Sequence, residues 1–426
     1  MSLHTGAMTA RRYHCPSEPP TGFRDSYAQQ LAALGFRESS APPATLERYG
    51  WVHTKDMLAA DFSDLNEWCL GSHLVFTLRI DTWKIPTKLF KAHLAKRVGA
   101  WLKEHGRVRC PAAVRAELRE SLQHELASRV MPKSTLIDIV WSIDDEIVLV
   151  DTQVASKNDL VCKVFFETFG VRLILWNPLD HMGVPRAVAD RLESVTHYDF
   201  AGIDSLPEPG LVSGVESIVR KAMGHDGGED TAKVVRSQMA DEDLEGFDAS
   251  MFNEWLASEF LVYLWFVTAC VSCDLEVHGG VMATMWVDER IAFRGGRKDL
   301  DSTASVKSES AADDYVAMSA LADQRLPSSM SLCLRVDERE YAFTLVANPP
   351  MDFKAVKLPT VVSSKEFDEF FYDRTFLLRE LEAAVQALWV RFCTLRADYD
   401  DWYGQVSMIR EWVRKAVDKD AVDEGE

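Results

Sequence analysis

Residues 73–83 read HLVFTLRIDTW, and residues 84–133 continue as KIPTKLFKAHLAKRVGAWLKEHGRVRCPAAVRAELRESLQHELASRVMPK. The first stretch has the β-branched and aromatic make-up of a strand over His73–Ile80. The period then changes. Pro86 suits the first turn of a helix, where its missing N–H costs no bond. Phe90, Leu94, Val98, Trp101 and Leu102 recur at helical spacing, and Gly106 ends the run. Pro111 opens a second helix with Val114, Leu118, Leu122, Leu126 and Val130 at intervals of four, and Pro132 stops it. Two helices joined by a short loop pack as an antiparallel pair. A helical hairpin over 86–131 is therefore expected. Its apolar stripes should face inward or onto a sheet, with Lys and Arg outside and at the tip (Lys103, Arg107, Arg109).

The same segment decides the electrostatics. It carries twelve bases: Lys84, Lys88, Lys91, Lys96, Arg97, Lys103, Arg107, Arg109, Arg115, Arg119, Arg129 and Lys133. Four acids oppose them (Glu104, Glu117, Glu120, Glu125), so the segment stands at 12 − 4 = +8 within a chain of net charge −19, and the remainder at −19 − 8 = −27. Such bipolarity gives a local field opposite in sign to the bulk. An acidic body repels a polyanion everywhere except at that segment. Phosphate recognition needs Lys and Arg at many points rather than one exact constellation. The same pattern also fits a solvated helix face that pairs with the acidic remainder.

Outward from the hairpin, Leu136–Trp141 and Ile147–Val150 read as a β-hairpin around Asp144-Asp145. Asp159–Phe169 reads as a helix and Val171–Trp176 as a third strand. Towards the N-terminus, Ser26–Leu34 reads as a short helix, and Pro16, Pro19 and Pro20 as part of a loose tail. Residues 179–250 read as a linker with an acidic excursion at Asp226–Asp248. In the second half, a helix is expected around Trp255–Val271, and its most apolar run, Phe260–Val271, reads as buried and too short to span a bilayer. Met285–Phe293 reads as strand–turn–strand, and Leu332–Leu345 as a hairpin around Asp337-Glu338. Leu377, Leu381, Val385, Leu388 and Phe392 mark one face of a long C-terminal helix. The expected fold class is α+β, with mixed sheets and packed helices. The expected division is a tail and short helix (1–48), an N-terminal α+β domain (49–178), the linker (179–250) and a C-terminal α+β domain (251–426). The polar N-terminus lacks the apolar core of a secretory signal. Eight scattered cysteines fit a reducing compartment.

The search for catalytic chemistry is negative. There is no phosphate-binding GxxxxGK[ST] loop, no GxGxxG after a strand, no HExxH and no GxSxG elbow. Cys270-x-x-Cys273 has no second ligand pair at zinc spacing, and its position in the most apolar helix favours inert, buried thiols. His124-Glu125 reads as a surface polar pair. Asp241-Glu242-Asp243 with Glu245 is acidic enough for Mg²⁺, but lies in a polar stretch unsuited to a precise site. No enzyme, cofactor or metal is expected.

Tyr49-Gly50-Trp51, HLVFTLRIDTWKIP (73–86) and the helix–basic turn–helix closing on Met131-Pro132-Lys133 resemble the bacterial RdgC family of recombination-associated proteins. LASEFLVYLW (256–265), MWVDERIAF (285–293), REYAFTL (339–345) and MDFKAVKLP (351–359) resemble the C-terminal region of divergent members. The order of these stretches across 49–396 carries the resemblance. It implies a non-enzymatic, sequence-independent duplex DNA binder, cytoplasmic and nucleoid-associated. It further implies a ring-shaped homodimer whose basic hole encircles DNA and so restrains a RecA-type recombinase. Carried onto this chain, the twelve bases would line or gate that hole. The acidic excursion, the loop at Arg297–Asp314 and the charge of −19 depart from the family pattern. The competing expectation is a protein-interaction regulator without DNA binding. Its basic segment would dock an acidic partner, or its acidic face would mimic DNA. No membrane partner is expected.

Overall fold

A computed structural model describes residues 6–16, 19–39, 42–193, 195, 197–198, 200, 254–295, 303–308, 311–347, 351–360 and 367–423. In chain order the elements are β1 (Met8–His14), α1 (Phe23–Ala33), β2 (Glu47–Val52), β3 (Cys69–Leu70), β4 (His73–Thr82), α2 (Thr87–Glu104), α3 (Ala112–Ala127), β5 (Lys133–Ser142), β6 (Ile147–Val150), α4 (Ala155–Phe169), β7 (Ile174–Leu175), α5 (Pro178–His181) and α6 (Arg186–Leu192). The second half adds α7 (Glu254–Phe266), β8 (Asp274–Glu276), β9 (Met282–Arg294), β10 (Thr303–Lys307), α8 (Tyr315–Ala322), β11 (Leu326–Val336), β12 (Arg339–Val346), β13 (Phe353–Lys357), α9 (Phe367–Arg396) and α10 (Tyr399–Asp423). Helix and strand are mixed throughout, as the α+β expectation requires. The chain forms two compact units, one of Tyr13–Ile174 and one joining residues up to Arg12 with those from Leu175 onward.

In the Tyr13–Ile174 unit, β2, β4, β5 and β6 pair in that order, all antiparallel, with β3 on β4. Helices α1 and α4 cover one face. Tyr27, Trp141, Phe165 and Phe169 meet there with ring centroids 4.7–5.6 Å apart. The Trp51 indole donates to Thr168 Oγ1 at 2.8 Å, which satisfies a polar atom inside this apolar layer. Gly50 has a steric reason to be glycine: a Cβ there would lie 2.5 Å from Phe36 Cα.

In the other unit the ladder runs β10, β9, β11, β12, β13, β1, antiparallel at each step, with β8 on β9. The expected hairpin around Asp337 is present, closed by Val336↔Arg339, with Asp337 in the left-handed region (φ 52°). An aromatic cluster of Phe260, Trp389, Phe392 and Trp402 joins α7, α9 and α10. Inside it lies an ion pair, Arg396 Nε to Glu259 Oε2 at 2.6 Å, with both residues buried.

The structure corrects several expectations. Met8–His14 is a strand with a largely alternating burial pattern, not part of a loose tail over 1–22. Arg12 lies buried in it, donating to the Met351 carbonyl at 3.0 Å and stacking on Trp176 and Phe353, so the pairing with β13 overrides the prolines that follow. Residues 179–192, expected as linker, contain α5 and α6, whose Leu179, Ala189 and Leu192 are buried. Met285–Phe293 belongs to one continuous strand. Irregularities in its register with β11 absorb what the polar Asp288-Glu289-Arg290 run suggests is a turn. Only Ile174–Leu175 of the third strand forms. The acidic stretch at Asp226–Asp248 falls outside the described residues, as does part of the loop at 297–314; within that loop, Thr303–Lys307 is β10.

Candidate nucleic-acid interface

The basic segment grows out of the β4–β5 ladder. Register runs without a break from His73↔Ser142 to Thr82↔Lys133. Trp83 through Pro132 is therefore an insertion whose two ends meet at one strand pair. Both helices form where the apolar periodicity places them. Gly106 takes the left-handed backbone that ends the first (φ 61°), and Trp101 stacks on His105 at 4.3 Å beside it. Eighteen residues make α2, about 27 Å long at 1.5 Å per residue.

The expected packing of the two helices on each other is present, but it buries little of their apolar stripes. None of the α2 side chains, all of them described, is fully buried; on α3 only Leu122, Leu126 and Ala127 are, near the root. The two helices pack on each other and form an arm, rather than lying on a sheet. Val108, between Arg107 and Arg109 at the tip, is 94 % exposed.

Eleven of the twelve bases are exposed, and Arg97 is half-buried. Glu125 binds two of them. It accepts from Arg97 Nη2, and from Arg129 Nη2 at 2.6 Å. Arg119 lies over the Phe90 ring at 5.8 Å, a contact between the helices. Lys84, Lys88, Lys91, Lys96, Lys103, Arg107, Arg109, Arg115, Arg119 and Lys133 form no ion pair among the described residues. Spacing distributes these ten. Lys96 and Lys103 are seven apart on α2 and share a face, as do Arg115 and Arg119 one turn apart on α3. Arg107 and Arg109 sit on the turn. The bases thus line the arm from root to tip, with their charges facing solvent.

Sequence reasoning did not include the root. A cleft of about 540 Å³ opens there, lined by Phe36, Arg48, Arg79, Trp83 and Arg129 among others. Arg79 is committed to the fold. It makes a bidentate pair with Asp81 (3.1 and 2.9 Å), reaches Glu38 at 3.2 Å and stacks on Phe36 at 4.1 Å. Burial opposes its charge, but Asp81 and Glu38 outweigh that and raise its pKa. Arg48 lies over Trp83 at 5.4 Å. Strand register places Arg48 opposite Asp81 and Gly50 opposite Arg79, a cross-strand relation invisible to a linear scan.

Among the described residues, no group of three or more His, Cys, Asp or Glu side chains is arranged to hold a metal ion. No described helix is long and apolar enough to cross a membrane. Cys270 and Cys273 are exposed, against the expectation of buried thiols, because α7 changes its winding before it reaches them. Asp241, Glu242, Asp243 and Glu245 lie outside the described residues. Compared with known proteins, the chain matches no protein-family model, and no curated sequence is significantly similar to it.

Proposed function

We propose that this chain is a sequence-independent duplex DNA-binding protein that modulates homologous recombination, acting as a ring-shaped homodimer that limits a recombinase's access to DNA. One observation carries the DNA-binding part: ten cations that are exposed and form no ion pair among the described residues, on a segment (84–133) charged +8 in a chain of −19. Unneutralised Lys and Arg at the surface displace condensed counterions from a duplex, and this supplies affinity without base readout. The acidic remainder supports the same reading, because it repels phosphate from every other face. The ring and the recombinase rest on the resemblance of 49–396 to the RdgC family. No catalytic step belongs to the proposal.

Topology gives the test. A ring that closes round DNA slides off a linear duplex with free ends and stays on a covalently closed circle at high salt. Equal retention on circular and end-blocked linear DNA, with loss from open-ended linear DNA, is the expected result. Equal loss from all three overturns the ring. Absence of binding to any duplex at low salt overturns the function.

A second reading is favoured by the apolar side chains the arm exposes, Val108 and Met131 (89 %). In it the arm docks an acidic protein surface and DNA is not bound. Capture of a recombinase on the immobilised chain in nuclease-treated solution, with no duplex binding, would select it.

A further inference from the structure

Cys270 and Cys273 differ from the other six cysteines. Cys15, Cys333 and Cys393 are buried, and Cys69, Cys110 and Cys162 half-buried, but this pair is exposed. It stands where α7 gives out. The helix widens into a π segment at Val267–Val271, closed by Ser272 N–H donating to Val267 O at 2.9 Å. Ser272 then turns extended (φ −162°, ψ 135°). Only Val271 and Ser272 separate the two cysteines, and the helical winding up to Val271 shortens the span between them before Ser272 extends it. Disulfides span Cα separations of up to about 6.8 Å. The far side is anchored, since the Cys273 carbonyl accepts from Met285 N–H at 2.7 Å and β8 begins at the next residue. π segments inside helices concentrate at functional positions.

We propose that Cys270 and Cys273 form a reversible dithiol–disulfide pair, closed by a low-molecular-weight disulfide such as oxidised glutathione, that ties the end of α7 to the β8–β9 ribbon. The Cys273 thiolate attacks one glutathione sulfur, forming a mixed disulfide and releasing a glutathione thiolate. The Cys270 thiolate then attacks Cys273 Sγ and expels the second glutathione. The two cysteines lose two electrons in all, oxidised glutathione gains them, and the two thiol protons end on the two released glutathiones. Partial desolvation, with Asp313 nearby, pushes the Cys270 thiol up. The carbonyl end of α7 also disfavours a thiolate there. A thiol of high pKa is a poor leaving group, so the closed form persists and the pair does not act as a catalyst of exchange.

The test uses the full chain, reduced, then exposed to graded ratios of reduced to oxidised glutathione, acid-quenched and alkylated. No Lys or Arg lies between Arg236 and Arg290, so trypsin leaves both cysteines, and no other, on the peptide Ser237–Arg290. The expected peptide carries neither alkyl group, is two hydrogens lighter, and reverts with reductant. In the folded chain its midpoint should lie several-fold further towards reduced glutathione than in denaturant. Cys270→Ser should instead accumulate glutathione on Cys273. Two alkylated cysteines at every ratio, glutathione adducts without the internal bond, or equal midpoints in folded and denatured chain would each overturn the proposal.

Discussion

Thr82 and Lys133 face each other as the outermost pair of the β4–β5 ladder. Paired Cα atoms in such a ladder are about 5 Å apart. Everything from Trp83 to Pro132 therefore leaves and re-enters the unit at one point, and eleven of the twelve bases lie on this insertion, with Lys133 at its root on the sheet. This relation makes the arm removable. Replacing residues 86–131 by a short Gly-containing turn should leave the β2–β4–β5–β6 sheet folded, as judged by far-UV circular dichroism and a cooperative melt. Duplex binding should be abolished. Retained binding by the armless chain would place the DNA contact elsewhere.

The tip is a smaller target. Lys103, Arg107 and Arg109 are exposed and form no ion pair among the described residues. Changing all three to Ala should leave the melting temperature within about 2 °C, since exposed substitutions stay within about ±0.5 kcal/mol. If each base contacts one phosphate, the slope of log K against log salt should become shallower by about 2.7. Fluorescence anisotropy at several salt concentrations measures both affinity and slope. An unchanged slope would take the tip out of the interface.

The Glu259–Arg396 pair sets an acid limb of stability. Burial by itself raises the Glu259 carboxyl, but Arg396, aided by His197 at 3.5 Å, outweighs it and holds the group below the usual carboxylate range. Its folded pKa is below its unfolded one, so the contribution is full above the unfolded value and is lost as pH falls through the folded value. Asp352 works in the opposite sense. Burial raises it despite Arg11, so the folded chain holds that proton more tightly and Asp352 favours folding as pH falls. Denaturant melts of Glu259→Gln should show a flatter decline below pH 5 than the parent. Arg396→Met, which strands a buried carboxylate, should cost about 3–5 kcal/mol at neutral pH. A parent-like acid limb in Glu259→Gln would refute this assignment.

Gly50→Ala tests the packing of β2 against the chain after α1. The added methyl would meet backbone at Phe36, which has no flexible end to swing aside. Overpacking costs about 1–3 kcal/mol and more when backbone must move, so a marked drop in melting temperature is expected. A change within error would mean that the Phe36 segment shifts freely.

The elements that were legible in sequence are those whose signal is local. The period-four leucines of α3, the left-handed Gly106 and the turn at Asp337 all lie where the residues place them. What was not legible depends on partners distant in the chain. Met8–His14 contains two arginines and precedes three prolines, and only pairing with β13 makes it a strand. The apolar face of α2 packs against α3, as the hairpin reading allows, but how little of it is fully buried depends on the insertion geometry and was not legible. Helix α10 went unread because Trp402, Val406, Ile409 and Val413 are embedded among charges at Tyr399–Asp423. The twelve bases were legible by composition. That ten of them form no ion pair among the described residues was not, since it depends on Glu125 binding both Arg97 and Arg129.

The salt dependence of duplex affinity tests the central claim most directly. With on the order of six phosphates contacted, log K for unrelated duplex sequences should fall along one common line against log salt, with a slope near −5. A flat salt response, or affinities that separate by sequence at constant salt, would contradict the account.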